Sequence, residues 1–133
     1  MIVLDASAAV AILLDPGPKA DLVRKRVESP DESVHVPHLL DLEVAHALRR
    51  HALQDRLASQ RGVQALRDFA NIRMTRYPHA SLLERIWDLR HNLTAYDAPY
   101  VALAEALNAP LLTGDARLAR VPGIRAAVEV YRQ

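Results

Sequence analysis

The chain has 133 residues, half of them hydrophobic and a quarter charged, with a formal net charge of +1. That length suits one domain over residues 1–133, long enough to bury a real core, and the near-neutral balance gives no sign of nucleic-acid binding through bulk charge. The absence of cysteine excludes disulfides and cysteine-based zinc sites and suits a reducing compartment.

The apolar run from Met1 to Leu14 is broken by Asp5 and carries no basic leader. It is too short to span a bilayer and poor as a signal peptide, so no membrane association and a cytoplasmic location are expected. Ile2-Val3-Leu4 predicts a buried first strand that Asp5 ends, followed by an apolar helix over Ala6 to Leu14 capped by Asp5 or Ser7. Asp15-Pro16-Gly17-Pro18 is a turn, and Lys19 to Glu28 a more polar helix with Leu22, Val23 and Val27 on one side. Val34-His35-Val36 is a second short strand ended by Pro37. Helical spacing then extends from His38 to about Leu53, with Glu43 one to two turns in, and again from Ser59 to Ala70. Ile72 to Thr75 predicts a third strand, at an edge because of Arg73, and His79 to His91 another helix.

The stretch from Thr94 to Arg120 organises the rest. Asp97 stands at a helix start with Pro99 in the first turn, where a missing N–H costs little. The helix is almost wholly apolar, so it is expected to be buried, and Asn108-Ala109-Pro110 stops it. Pro110-Leu111-Leu112 has the character of a covered parallel strand, and Thr113-Gly114-Asp115 turns into a further helix. Ala126 to Val130 is a final strand. The alternation predicts an α/β fold, a sandwich with a central, mostly parallel sheet.

In such a layer a helix leaves the carboxyl edge of the sheet and the next strand climbs back to it. Residues at helix starts and just past strand ends therefore share the rim where ligands of open sheets bind. Asp5, Glu43, Asp97 and Asp115 all fall there, from four separate parts of the chain. Taken singly, Asp5, Asp97 and Asp115 are well placed as helix caps, and Glu43 as a solvated helix residue. Taken together they conflict, because two carboxylates about 5 Å apart repel by roughly 3 kcal/mol at an effective dielectric near 20. Protonation or a cation must relieve that repulsion. An all-oxygen ligand set suits Mg²⁺ or Mn²⁺ and hence phosphodiester hydrolysis.

At these residues the chain closely resembles the PIN-domain ribonucleases, in particular the VapC-type toxins of bacterial toxin–antitoxin pairs. The resemblance is carried by IVLDASAAVAILL over 2–14, VPHLLDLEVAHALRR over 36–50 and LTAYDAPYVALAEALNAPLLTGDARLA over 93–119. Pro99 departs from it, standing where a larger apolar residue is expected. The resemblance implies a PIN-like α/β/α sandwich with its acids on Asp5, Glu43, Asp97 and Asp115, and Ser7 and Thr113 as supporting hydroxyls. It further implies Mg²⁺- or Mn²⁺-dependent cleavage of RNA, tRNA among the candidates. A cognate VapB-type antitoxin partner and a homodimer are implied as well.

Other motifs are absent or weak. Six histidines occur without H-E-x-x-H, the four glycines form no phosphate-binding loop, and Ser7 lies in no G-x-S-x-G elbow. An aspartyl-phosphate protein is a rival, weakened because Asp5 lacks a second acid two residues on and the only lysines are Lys19 and Lys25. A second rival is a non-catalytic domain whose acids hold a structural cation. Between Arg49 and Arg90 lie nine arginines against four acids, either an RNA-facing surface or a solvated one. Tyr77, Trp87, Tyr96 and Tyr100 are expected in the core or at interfaces, and the apolar stripe around Leu53 and Leu57 in the core or a dimer contact.

Overall fold

The structure, a computed structural model, describes residues 1–132. Five strands, β1 (Ile2–Leu4), β2 (Val34–Pro37), β3 (Thr75–Tyr77), β4 (Leu111–Thr113) and β5 (Val128–Val130), form one sheet in the order β3-β2-β1-β4-β5. Every neighbouring pair is parallel. The helices are α1 (Ala6–Leu14), α2 (Pro18–Glu28), α3 (Leu39–Leu53), α4 (Ser59–Ala70), α5 (Leu83–Asp88) and α6 (Ala98–Leu107). The chain moves outward from β1 through β2 to β3, then returns across the sheet to β4 on the other side of β1. Right-handed crossovers send helices to one face on the outward path and to the opposite face on the return. This gives an α/β/α sandwich.

The central strands β1, β2 and β4 are largely buried, whereas the edge strands β3 and β5 are partly exposed. Ile2, Val3, Leu4, Val36 and Leu111 have no solvent exposure. Helix α6 packs on β1, β2 and β4 and is buried from Ala98 to Ala104, which accounts for its apolar sequence. It ends at Asn108, whose left-handed backbone (φ 50°) closes the helix before Pro110. Helix α3 instead buries one stripe, Leu40, Val44 and Leu48.

Several boundaries differ from the sequence expectation. The third strand begins at Thr75, the residue where the expected run ends, and it is the sheet edge as Arg73 suggested. Its pairing starts at His35↔Thr75, while Ile72 and Met74 pack against the core as the exit from α4. The helix expected over His79 to His91 is a 3₁₀ turn at Ala80–Leu82 leading into the short α5; Leu89 N–H is shared among carbonyls of that helix's last turn, which ends it. The helix expected after Asp115 is only a 3₁₀ turn, Ala116–Arg120, with Val121 in extended backbone before Pro122. The last strand is confined to Val128–Val130.

One ion-pair network ties α5, α6 and the approach to β5. The Glu105 side chain, 6% exposed, accepts from Arg85 Nε (2.7 Å) and Nη2 (3.1 Å) and from Arg125 N–H (2.6 Å), while Arg85 also donates to the Gly123 carbonyl at 2.8 Å. Burial opposes ionisation of Glu105, but these donors outweigh it and lower its pKa below the usual 4.5. Its contribution is thus complete above the unfolded-state pKa and disappears as pH falls through the lower folded-state value. Glu105→Gln should cost about 1–3 kcal/mol in urea unfolding at pH 7, and the difference from wild type should shrink progressively below pH about 4.5. A pH-independent difference would contradict the charge assignment.

Candidate active site at the carboxyl edge of the sheet

The strand order creates a switch point between β1 and β4, where successive connections leave in opposite directions. Crevices outside the carboxyl ends of strands form there. Asp5 follows β1 and Thr113 ends β4. Leu4 pairs with Leu112, and Asp5 N–H donates to the Leu112 carbonyl at 3.3 Å. The two strand ends are thus side by side.

Asp5 is buried at 7% exposure, and every part of its carboxylate is engaged. Oδ1 accepts from Ser7 Oγ at 2.6 Å and from Ala8 N–H at 3.0 Å, the latter capping α1. Oδ2 accepts a short hydrogen bond from Thr113 Oγ1. Burial pushes the Asp5 pKa up; these donors oppose the rise and the charge of Asp115 adds to it. Ser7 Oγ also accepts from Gly114 N–H at 2.8 Å, and Thr113 Oγ1, fully buried, accepts from Asp115 N–H at 2.9 Å. A Cβ at Gly114 would lie 2.8 Å from the Tyr131 hydroxyl, so a larger residue there must displace that ring.

The other three acids stand around this pair. Glu43, half-buried on α3, accepts a short hydrogen bond from the Tyr100 hydroxyl. Its pKa is raised chiefly by burial, with the Tyr100 bond opposing and the charges of Asp97 and Asp5 adding. Tyr100, buried on α6, is raised in turn by burial and by Glu43. Asp97 stands at the N-terminus of α6 without capping it: Thr94 Oγ1 accepts from Tyr96 and Asp97 N–H instead, at 3.3 and 3.1 Å. Among the described residues the Asp97 carboxylate takes no hydrogen bond. Asp115 caps the 3₁₀ turn through Arg117 N–H at 3.0 Å and is gripped by the Arg117 guanidinium, which lowers its pKa.

The four acids therefore sit on one rim, where the charges of Asp97 and Asp5 act on Glu43 and that of Asp115 acts on Asp5. They do not converge on a point, and among the described residues no three His, Asp or Glu side chains are arranged to hold an ion. The cause is local: Asp5 is turned to its hydroxyls, Glu43 to Tyr100 and Asp115 to Arg117. The donor set itself, carboxylate and hydroxyl oxygens around a buried acid whose pKa burial raises, fits a hard divalent cation.

Beside Glu43 and Ser7 opens a cleft of about 770 Å³, lined by Val10, Leu39 and Leu42 on one hand and by His46, Arg50 and Arg132 on the other. Tyr100 and Arg117 are site residues the sequence reading missed. The available signals were the i, i+3 spacing of Asp97 and Tyr100 and the Asp-x-Arg spacing at 115–117. The arginines from Arg49 to Arg90 do not form one face. Arg76 pairs with Asp41, Arg85 with Glu105, Arg61 caps the Leu13 carbonyl and Arg90 stacks on Trp87.

Thr113→Val keeps the shape but removes the hydroxyl that joins Asp5 to the Asp115 N–H. It should lower unfolding stability by about 1–3 kcal/mol, the cost of stranding buried polar groups, whereas Thr113→Ser should retain most of it. Equal stability of the valine variant and wild type in urea melts would show that this hydroxyl does not hold the rim.

The PIN domain family matches residues 2–124. Ribonuclease VapC9 of Mycobacterium tuberculosis is 52% identical over 118 residues, covering 89% of this chain and 88% of that protein. Ribonuclease VapC1 of the same species is 46% identical over 132 residues, covering 98% and 97%. The fold is shared with VapBC2 of Rickettsia felis, crystallised with a DNA fragment from its promoter, at a TM-score of 0.72 and 16% identity over 98% of both chains. With its parallel sheet, its acid-bearing rim and this similarity along nearly its whole length, the chain belongs to the PIN-domain family, in its VapC branch.

Proposed function

We propose that this chain is a metal-dependent endoribonuclease that hydrolyses RNA phosphodiester bonds at the rim formed by Asp5, Glu43, Asp97 and Asp115. Its two close relatives are named ribonucleases. The observation that carries the assignment to this rim is Asp97: among the described residues its carboxylate takes no hydrogen bond and caps nothing, yet its charge acts on Glu43 and Tyr100. An acid whose carboxylate has no partner beyond the helix end it stands at, and which adds repulsion to Glu43, supports a bound cation at this rim.

Asp5, Glu43 and Asp97 would hold Mg²⁺ or Mn²⁺, with Asp115 completing or supporting the set. When bound, such an ion would offset phosphate charge and lower the pKa of a water it holds, easing that water's deprotonation. Ser7 and Thr113 orient the Asp5 carboxylate by donating to separate oxygens. Tyr100 fixes the Glu43 carboxylate against α6. RNA would enter along the cleft beside Glu43, which Arg50 and Arg132 line and where they could meet phosphates. In-line attack at phosphorus leaves a 5′-phosphate and a 3′-hydroxyl; structured RNA such as tRNA is the substrate class.

By the same reading the protein inhibits growth until a VapB-type antitoxin covers this cleft, and it acts as a homodimer in the cytoplasm. The exposed Leu42 and Leu53 on α3 offer apolar contact area for such partners. No helix among the described residues is long and apolar enough to cross a membrane.

Asp97→Asn tests the assignment with little risk to the fold. RNA cleavage in Mg²⁺ or Mn²⁺ should fall by at least about 100-fold, the upper end of what loss of even an outer partner costs a metal site, with the melting temperature in chelator unchanged or raised. Full cleavage by the variant would contradict the catalytic rim, and a 2′,3′-cyclic phosphate product would contradict attack by water.

A further inference from the structure

We propose that Arg117 is a counter-ion built into the acidic rim, competing with a divalent cation for the Asp115 carboxylate and displaced when that cation binds. This rests on the reading of the rim as a cation site and adds what balances its charge in the cation-free protein.

The guanidinium takes both carboxylate oxygens of Asp115. Nε lies 3.0 Å from Oδ1 and 3.2 Å from Oδ2, and Nη2 lies 2.7 Å from Oδ2. The Arg117 backbone N–H takes Oδ1 as well, at 3.0 Å. A cation bound by Asp115 needs the lone pairs these donors use, so guanidinium and cation exclude one another at the same oxygens.

Exposure decides that this pair can be exchanged. The Arg117 side chain is 85% exposed and that of Asp115 28%. Letting go therefore strands no buried charge, and water can take over the guanidinium at once. The Arg85–Glu105 pair is the opposite case, a carboxylate buried to 6% exposure with several donors and no freedom to change partner. Position favours the same conclusion. Arg117 lies two residues from Asp115, on a 3₁₀ turn rather than a long helix, and its charge also reaches Asp97. One mobile cation thus offsets two acids of a cluster whose members repel.

Calorimetric titration of Mn²⁺ into the RNA-free, chelator-treated full chain tests this without reference to activity. Arg117→Gln should bind Mn²⁺ about two- to fivefold more tightly than wild type, as expected for removing an exposed ionic competitor. Arg120→Gln, which removes an exposed arginine of the same turn that makes no ion pair among the described residues, should match wild type. Equal or weaker binding by Arg117→Gln overturns the inference, as does equal tightening by both variants, which would trace the effect to charge at large. Failure of wild type and both variants to bind Mn²⁺ would overturn the cation-site reading itself, and the competition with it.

Discussion

The Asp5 carboxylate is the constraint around which this structure is arranged. It is buried at the end of the central strand, and it caps the first helix while bonding the hydroxyls of Ser7 and Thr113. Through Thr113 it joins β1 to β4, the two strands whose opposite connections open the crevice. A buried carboxylate without such donors would take up a proton or unfold its surroundings. Here the donors hold it in place, yet burial and the neighbouring Asp115 still raise its pKa. The fold places a negative charge where the protein alone does not fully balance it.

The remaining acids show how that imbalance is managed. Glu43 leans on the Tyr100 hydroxyl, Asp115 on Arg117, and Asp97 on nothing among the described residues. Of the three acids that have partners, only Asp115 uses an exposed, exchangeable contact, whereas Asp5 and Glu43 lean on buried hydroxyls. Such a rim is poised rather than closed. It has the right atoms for a hard cation, but its side chains must change partners to surround one. Stability and function pull apart at this edge, whereas Glu105, on the same helix as Tyr100, shows a carboxylate fully committed to the fold.

Much of this was legible in the sequence because the central strands β1, β2 and β4 are largely buried. An apolar run interrupted by a single acid, as at Leu4-Asp5, or by a hydroxyl and a glycine before an acid, as at Thr113-Gly114-Asp115, marks where a strand ends at the rim. The capping reading held for Asp5 and Asp115 but not for Asp97, where Thr94 supplies the acceptor. Strand order was not legible: nothing in the sequence of β4 says that it lies beside β1 rather than β3. The Tyr100–Glu43 bond was hidden for the same reason, since it joins residues 57 apart on different helices. Tyr100 is also buried enough to pass as a plain core aromatic. The 3₁₀ turns at Ala80–Leu82 and Ala116–Arg120 carry ordinary helix-forming residues, so spacing alone overestimates both helices.

The account stands on the claim that a divalent cation site lies at the switch point between β1 and β4. Crystals grown with Mn²⁺, measured at the manganese absorption edge, test this directly. The account predicts a strong anomalous peak about 2.1 Å from an Asp5 oxygen, with Glu43, Asp97 or Asp115 turned toward it. A peak elsewhere on the molecule, or none in well-ordered crystals at saturating Mn²⁺, would contradict it.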